Sequence, residues 1–261
     1  MPLTDDQTHA FADRLHAAAM STTQVTKLTD EAPELSLEDA YTIQRLLIAR
    51  RITDGARLIG MKMGLTSLAK MEQMGVHAPI YGHLTSDMLH SDGAILQRTA
   101  MGQPRVEPEI AFLLGRDLEG PTTAAQAMLA VSGVCAAIEV IDSRYEKFRF
   151  TLNDVVADNA SSTAFVLGST VVAPGDLDLG NLGMVMEIDG ETVAVGSSAA
   201  IYEHPARSLA ELANLLAERG ERLEAGMVVL AGGATAAKHV EAGQRVRLRC
   251  DGLGTVDLSI R

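Results

Sequence analysis

Polar and apolar positions change their period along the chain. Near the N-terminus, Thr4 and Gln7 have capping-box spacing, and Phe11 and Leu15 follow four residues apart on one helical face. Ser36 and Asp39 repeat that start signal ahead of AYTIQRLLIARR, where Ile43, Leu46 and Leu47 form an apolar stripe. From Arg57 the period shortens, and RLIGMKMG, EIAFLLG, AAIEVID and TAFVLGSTVV read as strands. Thr66 and Ser67 predict the cap of a short helix that stops at Gly75. MVMEIDGETVAV reads as a hairpin about Asp189-Gly190, residues suited to a type I′ turn, and RVRLRCDGLGTVDLSI as a second about Asp251-Gly252. Between the hairpins, Ser208 and Glu211 predict a helix start and Gly220 its end. The pattern predicts an α+β chain, with a helical N-terminal lobe over 1–56 and a β-rich domain over 57–261. Hairpins of this kind favour antiparallel or mixed sheet over a doubly wound parallel one.

Composition narrows the classes. Hydrophobic residues make up 47% and charged residues 21%, so a core of normal size forms without staples. Trp is absent and Met numbers 12, so that core is mainly aliphatic. A net charge of −12 repels phosphate backbones and anionic lipid, which argues against nucleic acid and membrane partners. It also opposes an anionic substrate unless a local cation reverses the field. Cys135 and Cys250 sit in apolar contexts and suggest a reduced cytoplasm, and the acidic N-terminus reads as neither signal peptide nor span. No dinucleotide fingerprint, phosphate loop or serine-hydrolase elbow stands where it would need to be.

The residues that could carry chemistry are few. In Arg-Val-Glu-Pro-Glu-Ile-Ala-Phe, Glu107 and Glu109 project from one strand face, and adjacent carboxylates repel unless a cation lies between them. Pro108 equally fits a solvated edge strand. Glu139 lies inside the apolar run AAIEVI, where a carboxylate needs a cation or an arginine partner such as Arg144 or Arg105. Three such oxygen donors suit Mg2+ or Mn2+ and leave positions open for a chelating substrate. Lys62 shares a face with Gly60 and Gly64, whose missing side chains leave room beside it for a ligand, although a snorkelling lysine reads the same way. Asp158-Asn159-Ala160-Ser161-Ser162 is either a turn or a substrate-positioning cluster. Gly232-Gly233-Ala234-Thr235 follows an apolar strand and allows close approach of a ligand, or marks a bend. His77 and His83, flanking Pro-Ile-Tyr-Gly, are candidates for lining a pocket.

KMGLTSLAKMEQMGVHAPIYG, RVEPEIAF, AIEVIDSRYEKF, VVADNASS and LAGGATAA, in this order from about Ser36 onward, resemble the 2-oxopent-4-enoate hydratase / 4-oxalocrotonate decarboxylase family of the fumarylacetoacetate hydrolase superfamily. The resemblance implies a mixed β-sandwich roll with Glu107, Glu109 and Glu139 on Mg2+ or Mn2+. It implies catalytic roles for Lys62, Asp158 and Ser161, and substrate contacts from Asn159, Tyr81, Arg144 and Thr235. Ala78-Pro79-Ile80-Tyr81-Gly82 and Ser143 to Phe148 look more like the decarboxylase branch. That branch implies loss of CO2 from 2-oxo-3-hexenedioate, a small 2-oxo dicarboxylate, in the meta-cleavage degradation of aromatic compounds. The alternatives are a 2-hydroxypenta-2,4-dienoate hydratase and a non-catalytic partner subunit. Family members also pair, which implies a homo-oligomer and a complex with a 2-hydroxypentadienoate hydratase.

Overall fold

The computed structural model describes residues 3–67, 71 and 78–261. The expected helix ending at Gly75, and His77, lie outside the described residues. Both N-terminal capping boxes form. Thr4 opens α1 (Asp5–Ser21) and Ser36 opens α3 (Leu37–Thr53), with the one-turn α2 (Leu28–Glu31) between them.

Two sheets follow. The larger contains β1 (Leu58–Gly64), β2 (Ile80–Thr85), β3 (Leu89–Ser91), β5 (Arg105–Leu114), β6 (Val131–Ile141), β7 (Ser162–Leu167) and β10 (Val228–Leu230), in the order β2-β1-β10-β5-β6-β7-β3, with β11 (Lys238–His239) also on β5. Its two end strands, β2 and β3, are consecutive in the chain and joined by residues 86–88 alone, while Phe165 N–H of β7 donates to Met88 O just before β3 at 2.8 Å. The sheet is therefore bent back on itself into a roll. The smaller sheet orders β4 (Ala94–Leu96), β13 (Gly254–Ile260), β12 (Arg245–Cys250), β8 (Gly183–Ile188) and β9 (Glu191–Ser197). Among the described residues, three further α-helices are α4 (Ala124–Met128), α5 (Leu152–Ala157) and α6 (Pro205–Ala217).

Alternation along the strands assigns the two faces of the roll. Outward residues such as Ile110, Phe112, Ile138 and Val166 join Met186, Leu248 and Val256 of the smaller sheet and Leu15 and Ile43 of the helices in one core. The inward face holds a second, smaller cluster that includes Leu84, Met88, Cys135, Phe165 and Leu230. Each such aliphatic or aromatic side chain, fully removed from water, stabilises the fold by roughly 1.5–3 kcal/mol. Ala111 and Ala137 belong to the inner cluster because a curled sheet leaves little room at its axis. Among the described residues no helix is long and apolar enough to cross a membrane.

Local chemistry moved several boundaries. Asp189 (φ 54°) and Gly190 (φ 85°) make the expected hairpin turn, whereas the second hairpin pairs Cys250 with Gly254 and so turns through three residues. In TAFVLGSTVV the strand ends at Leu167, and the chain returns to β6 only through a bridge between Val172 and Val134. α6 begins at Pro205, not near Ser208. Proline at the first helical position has no N–H to leave orphaned, and His204 caps the turn through its ring. Ser208 instead lies inside the helix and donates to Ala231 O at 2.7 Å.

Pro108 does not mark an edge. β5 is central, paired with β6 along its whole length. Pro108 O accepts from Ala234 N–H at 2.9 Å, so the ring nitrogen points the same way, at residues 231–237, where the chain between β10 and β11 has left the ladder. A missing donor costs nothing there.

Candidate metal centre and its cavity

Strand register assembles the acidic cluster. Glu107 stands directly opposite Glu139 across β5 and β6, and Glu109 is two residues further along the same face. Lys62 pairs with Leu230, which pairs with Ala111, so period-2 counting brings the lysine to that face as well. One ligand oxygen from each of Glu107, Glu109 and Glu139 lies within 4.8 Å of the others. Glu109 and Glu139 are fully buried, while Glu107 is half-buried and faces a cavity.

Charge balance inside the cluster is poor. Lys62 Nζ sits 2.8 Å from Glu139 Oε2, and Gly232 N–H donates to Glu109 Oε2 at 2.7 Å. Neither arginine considered from the sequence as a partner for Glu139 approaches it. Oε1 of Glu109 and Oε1 of Glu139 have no partner among the described residues. Burial raises both carboxyls above their ordinary range, and the neighbouring carboxylates add to that effect against the pull of Lys62. Burial alone would lower the Lys62 ammonium, but the three carboxylates outweigh it and hold the group charged. Among the described residues, two buried oxygens of Glu109 and Glu139 thus remain unmatched. A hard divalent cation fits this donor set, because it would take up those oxygens and cancel the repulsion.

The cavity beside the cluster measures about 630 Å³, a volume suited to a small ligand. Lys62, Gly64, Arg105, Glu107, Arg149 and Ser161 supply its polar or open lining, and Ile80, Ile141, Phe150 and Val155 much of its apolar wall. Gly64 opens space as expected, since a Cβ there would lie 3.8 Å from Lys62 Nζ. Gly60 serves a different purpose, because its Cβ would fall 2.0 Å from Val228 O in the neighbouring strand.

The DNAS segment splits into two functions. Asn159, Ala160 and Ser161 all have left-handed backbones, at φ 52°, 50° and 59°, which non-glycine residues adopt only when their surroundings hold them. The Asn159 side chain accepts from His83 N–H at 2.7 Å and donates to His83 O at 2.9 Å, in place of a neighbouring strand. Gly82 permits this approach, since a Cβ there would lie 2.8 Å from Asn159 O. The turn aims Ser161 Oγ, buried and without a partner among the described residues, at the cavity. Lys62 Nζ also donates to Ala160 O at 3.4 Å.

Asp158 and Arg144 behave otherwise. Asp158 is fully buried and its carboxylate is taken by the Arg144 guanidinium and backbone N–H. The remaining Arg144 donors reach Asp142 O, Ser162 O, Thr163 Oγ1 and Asp158 O. Burial raises the Asp158 carboxyl to about 6 in spite of Arg144. Neither residue lines the cavity, so the expected proton relay at Asp158 and substrate contact at Arg144 differ from the geometry. A buried pair with its donors and acceptors filled has nothing left for a ligand. Tyr81 likewise points away, because Met63 and Tyr81 are paired on the outer face, and its ring stacks on Tyr41 at 4.5 Å. Thr235 is half-buried on the same loop as the lining residues Ala236 and Ala237. His83 is buried against Gln44 Oε1 at 2.9 Å, and burial lowers its pKa to about 4.

Sequence reading missed Arg149 and assigned Arg105 to the wrong purpose. Arg105 precedes Glu107 by two residues on the same strand face, a signal that was available; Arg149 sits on a loop whose direction no periodicity reveals.

Comparison with known proteins agrees with this architecture. The family model described as fumarylacetoacetate (FAA) hydrolase C-terminal matches residues 62–261. A 4-oxalocrotonate decarboxylase of Pseudomonas sp is 49% identical over 250 residues, covering 95% of this chain and 96% of that protein. A 2-hydroxyhexa-2,4-dienoate hydratase of Comamonas testosteroni is 38% identical, covering 94% of each. The solved structure of 4-oxalocrotonate decarboxylase from Pseudomonas putida G7, complexed with magnesium and adipate, superposes with a TM-score of 0.97 at 42% identity, covering 99% of both chains. A β-sandwich roll, a carboxylate cluster at its mouth and a family match over most of the chain converge, and the chain belongs to the fumarylacetoacetate hydrolase family.

Proposed function

We propose that this chain is a divalent-metal-dependent carboxy-lyase that converts 2-oxo-3-hexenedioate to 2-hydroxypenta-2,4-dienoate and CO2. The observation that carries the reading is the cluster of Glu107, Glu109 and Glu139, with its unmatched buried oxygens, beside Lys62 at a cavity. The two similar decarboxylases, one of them holding magnesium and adipate, support it.

Glu107, Glu109 and Glu139 are the donors for Mg2+ or Mn2+. When bound, that ion supplies a chelating anchor for a 2-oxo acid and Lewis acidity at its C2 oxygen. In the reaction the C5–C6 bond breaks and CO2 leaves. The electron pair moves through the conjugated carbons to the C2 oxygen, which takes up a proton. Lys62, held at Glu139 and Ala160, presents positive charge to the C1 carboxylate or to the oxygen on which charge develops. Ser161 Oγ offers a hydrogen bond to the same ligand, with Asn159 and Asp158 holding its turn, and Thr235 lies on the loop that carries the lining residues Ala236 and Ala237.

One feature of the cavity favours decarboxylation over hydration. Adding water to a dienoate needs an acid/base group near the distal carbons. Among the described lining residues Glu107 is the only carboxylic acid, no histidine is present, and Asp158 is turned away. Loss of CO2 to the 2-hydroxy dienoate protonates no carbon and needs no such group. The same proposal carries a homo-oligomer and a cytoplasmic complex with the hydratase that consumes the dienoate.

Turnover of 2-oxo-3-hexenedioate with and without Mg2+, following CO2 and the dienoate together, tests the reading. Mg2+-dependent release of CO2 is expected. Hydration of the dienoate without CO2 release would move the chain to the hydratase branch, and metal binding without either reaction would make it a partner subunit.

A further inference from the structure

Two arginines at the cavity have no acid partner among the described residues. Arg105 and Arg149 both line it, and neither makes an ion pair or side-chain hydrogen bond among the described residues. In a chain of net charge −12, other arginines such as Arg50, Arg51, Arg144 and Arg249 each reach a carboxylate. Arg57, Arg116 and Arg261 also make no ion pair among the described residues, so what sets Arg105 and Arg149 apart is that both line one cavity.

Their placement is also built. Arg105 projects from the strand face that carries Glu107, and its guanidinium lies over the Phe148 ring, 3.9 Å from the centroid. Phe148 is held for this purpose on a constrained loop. Lys147 and Phe148 have φ of 56° and 57°, a conformation that bulky residues adopt only under external constraint. The Phe150 ring sits 5.5 Å from Phe148 and 6.4 Å from Tyr145, and Gln103 Nε2 donates to Tyr145 O at 2.6 Å. Arg149 is the residue between the two phenylalanines of that cluster.

The cavity thus has two electrostatically different sets of groups. The acidic cluster with Lys62 suits a cation and the 2-oxo acid it would chelate, and the arginines suit a second anion. We propose that Arg105 and Arg149 form the subsite for the distal carboxylate of the substrate and so select 2-oxo dicarboxylates over 2-oxo monocarboxylates. This rests on the decarboxylase reading above and deepens it. A hydratase acting on a monocarboxylate would leave both guanidiniums without a counter-charge. The subsite acts on selection more than on rate, because the bound carboxylate loses its charge as it becomes CO2 and the contact weakens toward the transition state.

Calorimetric titration of the Mn2+-loaded protein with 2-oxoadipate and with 2-oxohexanoate tests the proposal, since these ligands differ at the distal carboxylate and neither can lose CO2 by this route. The wild type is expected to prefer 2-oxoadipate by roughly 10- to 100-fold, the worth of a charge-assisted contact. Arg149→Gln and Arg105→Met should each cut that preference several-fold while 2-oxohexanoate still binds. With the true substrate, Arg149→Gln should raise KM far more than it lowers kcat. An undiminished preference in both variants overturns the arginine subsite while leaving the metal reading intact. Failure of either ligand to bind the wild type in a Mn2+-dependent way, in the same titration, overturns the metal reading and the subsite with it.

Discussion

The molecule buries charge in two neighbouring places, and it treats them differently. At Arg144 and Asp158, one guanidinium meets one carboxylate and its other donors reach backbone and Thr163 oxygens. At Lys62, the ammonium meets Glu139 in a cluster with Glu107 and Glu109, and two buried oxygens stay unmatched among the described residues. Both clusters lie on strands or turns of the same roll, so the contrast is one of electrostatic balance rather than burial. The first arrangement is complete in itself and stabilises the DNAS turn. The second is destabilised as it stands, and protein folds carry such repulsion where a ligand relieves it. Sequence alone puts Asp158 in a polar turn and Glu139 in an apolar run, and neither setting shows which carboxylate has its charge satisfied.

Substitutions should break this contrast in opposite directions. The largest effect is expected from Glu139→Ala, which removes a donor and strands Lys62. Metal-dependent turnover should fall by more than about 1,000-fold, equivalent to roughly 4 kcal/mol, and Mn2+ titration should find binding lost. Wild-type-like turnover would remove the cluster from the active site. Asp158→Asn should instead leave Mn2+ affinity nearly intact and lower unfolding stability by roughly 3–5 kcal/mol, as expected for a broken buried pair. Chemical denaturation measures this, and a neutral result would mean that Arg144 finds water.

A third measurement sharpens the satisfied side through His83, which links Gln44 to the backbone that Asn159 grips. Its pKa is lowered to about 4 by burial, so the neutral ring's contribution is complete above about pH 6.5 and drains away as the pH falls toward 4. Between those limits the wild type should lose about 3 kcal/mol relative to His83→Gln. A constant difference across the window would show that the ring stays solvated. The smallest effect sharpens the unsatisfied side. Mn2+ at about 100 times its Kd should stabilise the wild type by about 2.7 kcal/mol and leave Glu139→Ala unmoved, read as a shift in unfolding midpoint.

Some of this was legible before any coordinates. The α1 and α3 capping boxes, the Asp189-Gly190 turn, and Glu107 and Glu109 as a same-face pair rest on spacing within a few residues, where local geometry decides. Glu139 in its apolar run and Lys62 between Gly60 and Gly64 were also candidates from the residues themselves, and the family resemblance agreed with them. The helix start at Ser208 failed for a local reason of its own, since Pro205 and His204 supplied a stronger start three residues earlier.

What the chain order could not determine is which candidates meet. Glu139 opposite Glu107 is a matter of register between β5 and β6, and Lys62 joins them only through β10, which comes more than a hundred residues later. The same long-range pairing turns Tyr81 outward, draws Arg144 onto Asp158 and leaves Arg105 and Arg149 at the cavity with no acid partner among the described residues. Residue type and local spacing determined which groups could bind a hard cation and an anionic ligand. Only the curled sheet decided which of them face the same space, because whether a buried charge is satisfied depends on neighbours brought by strand pairing and not by sequence.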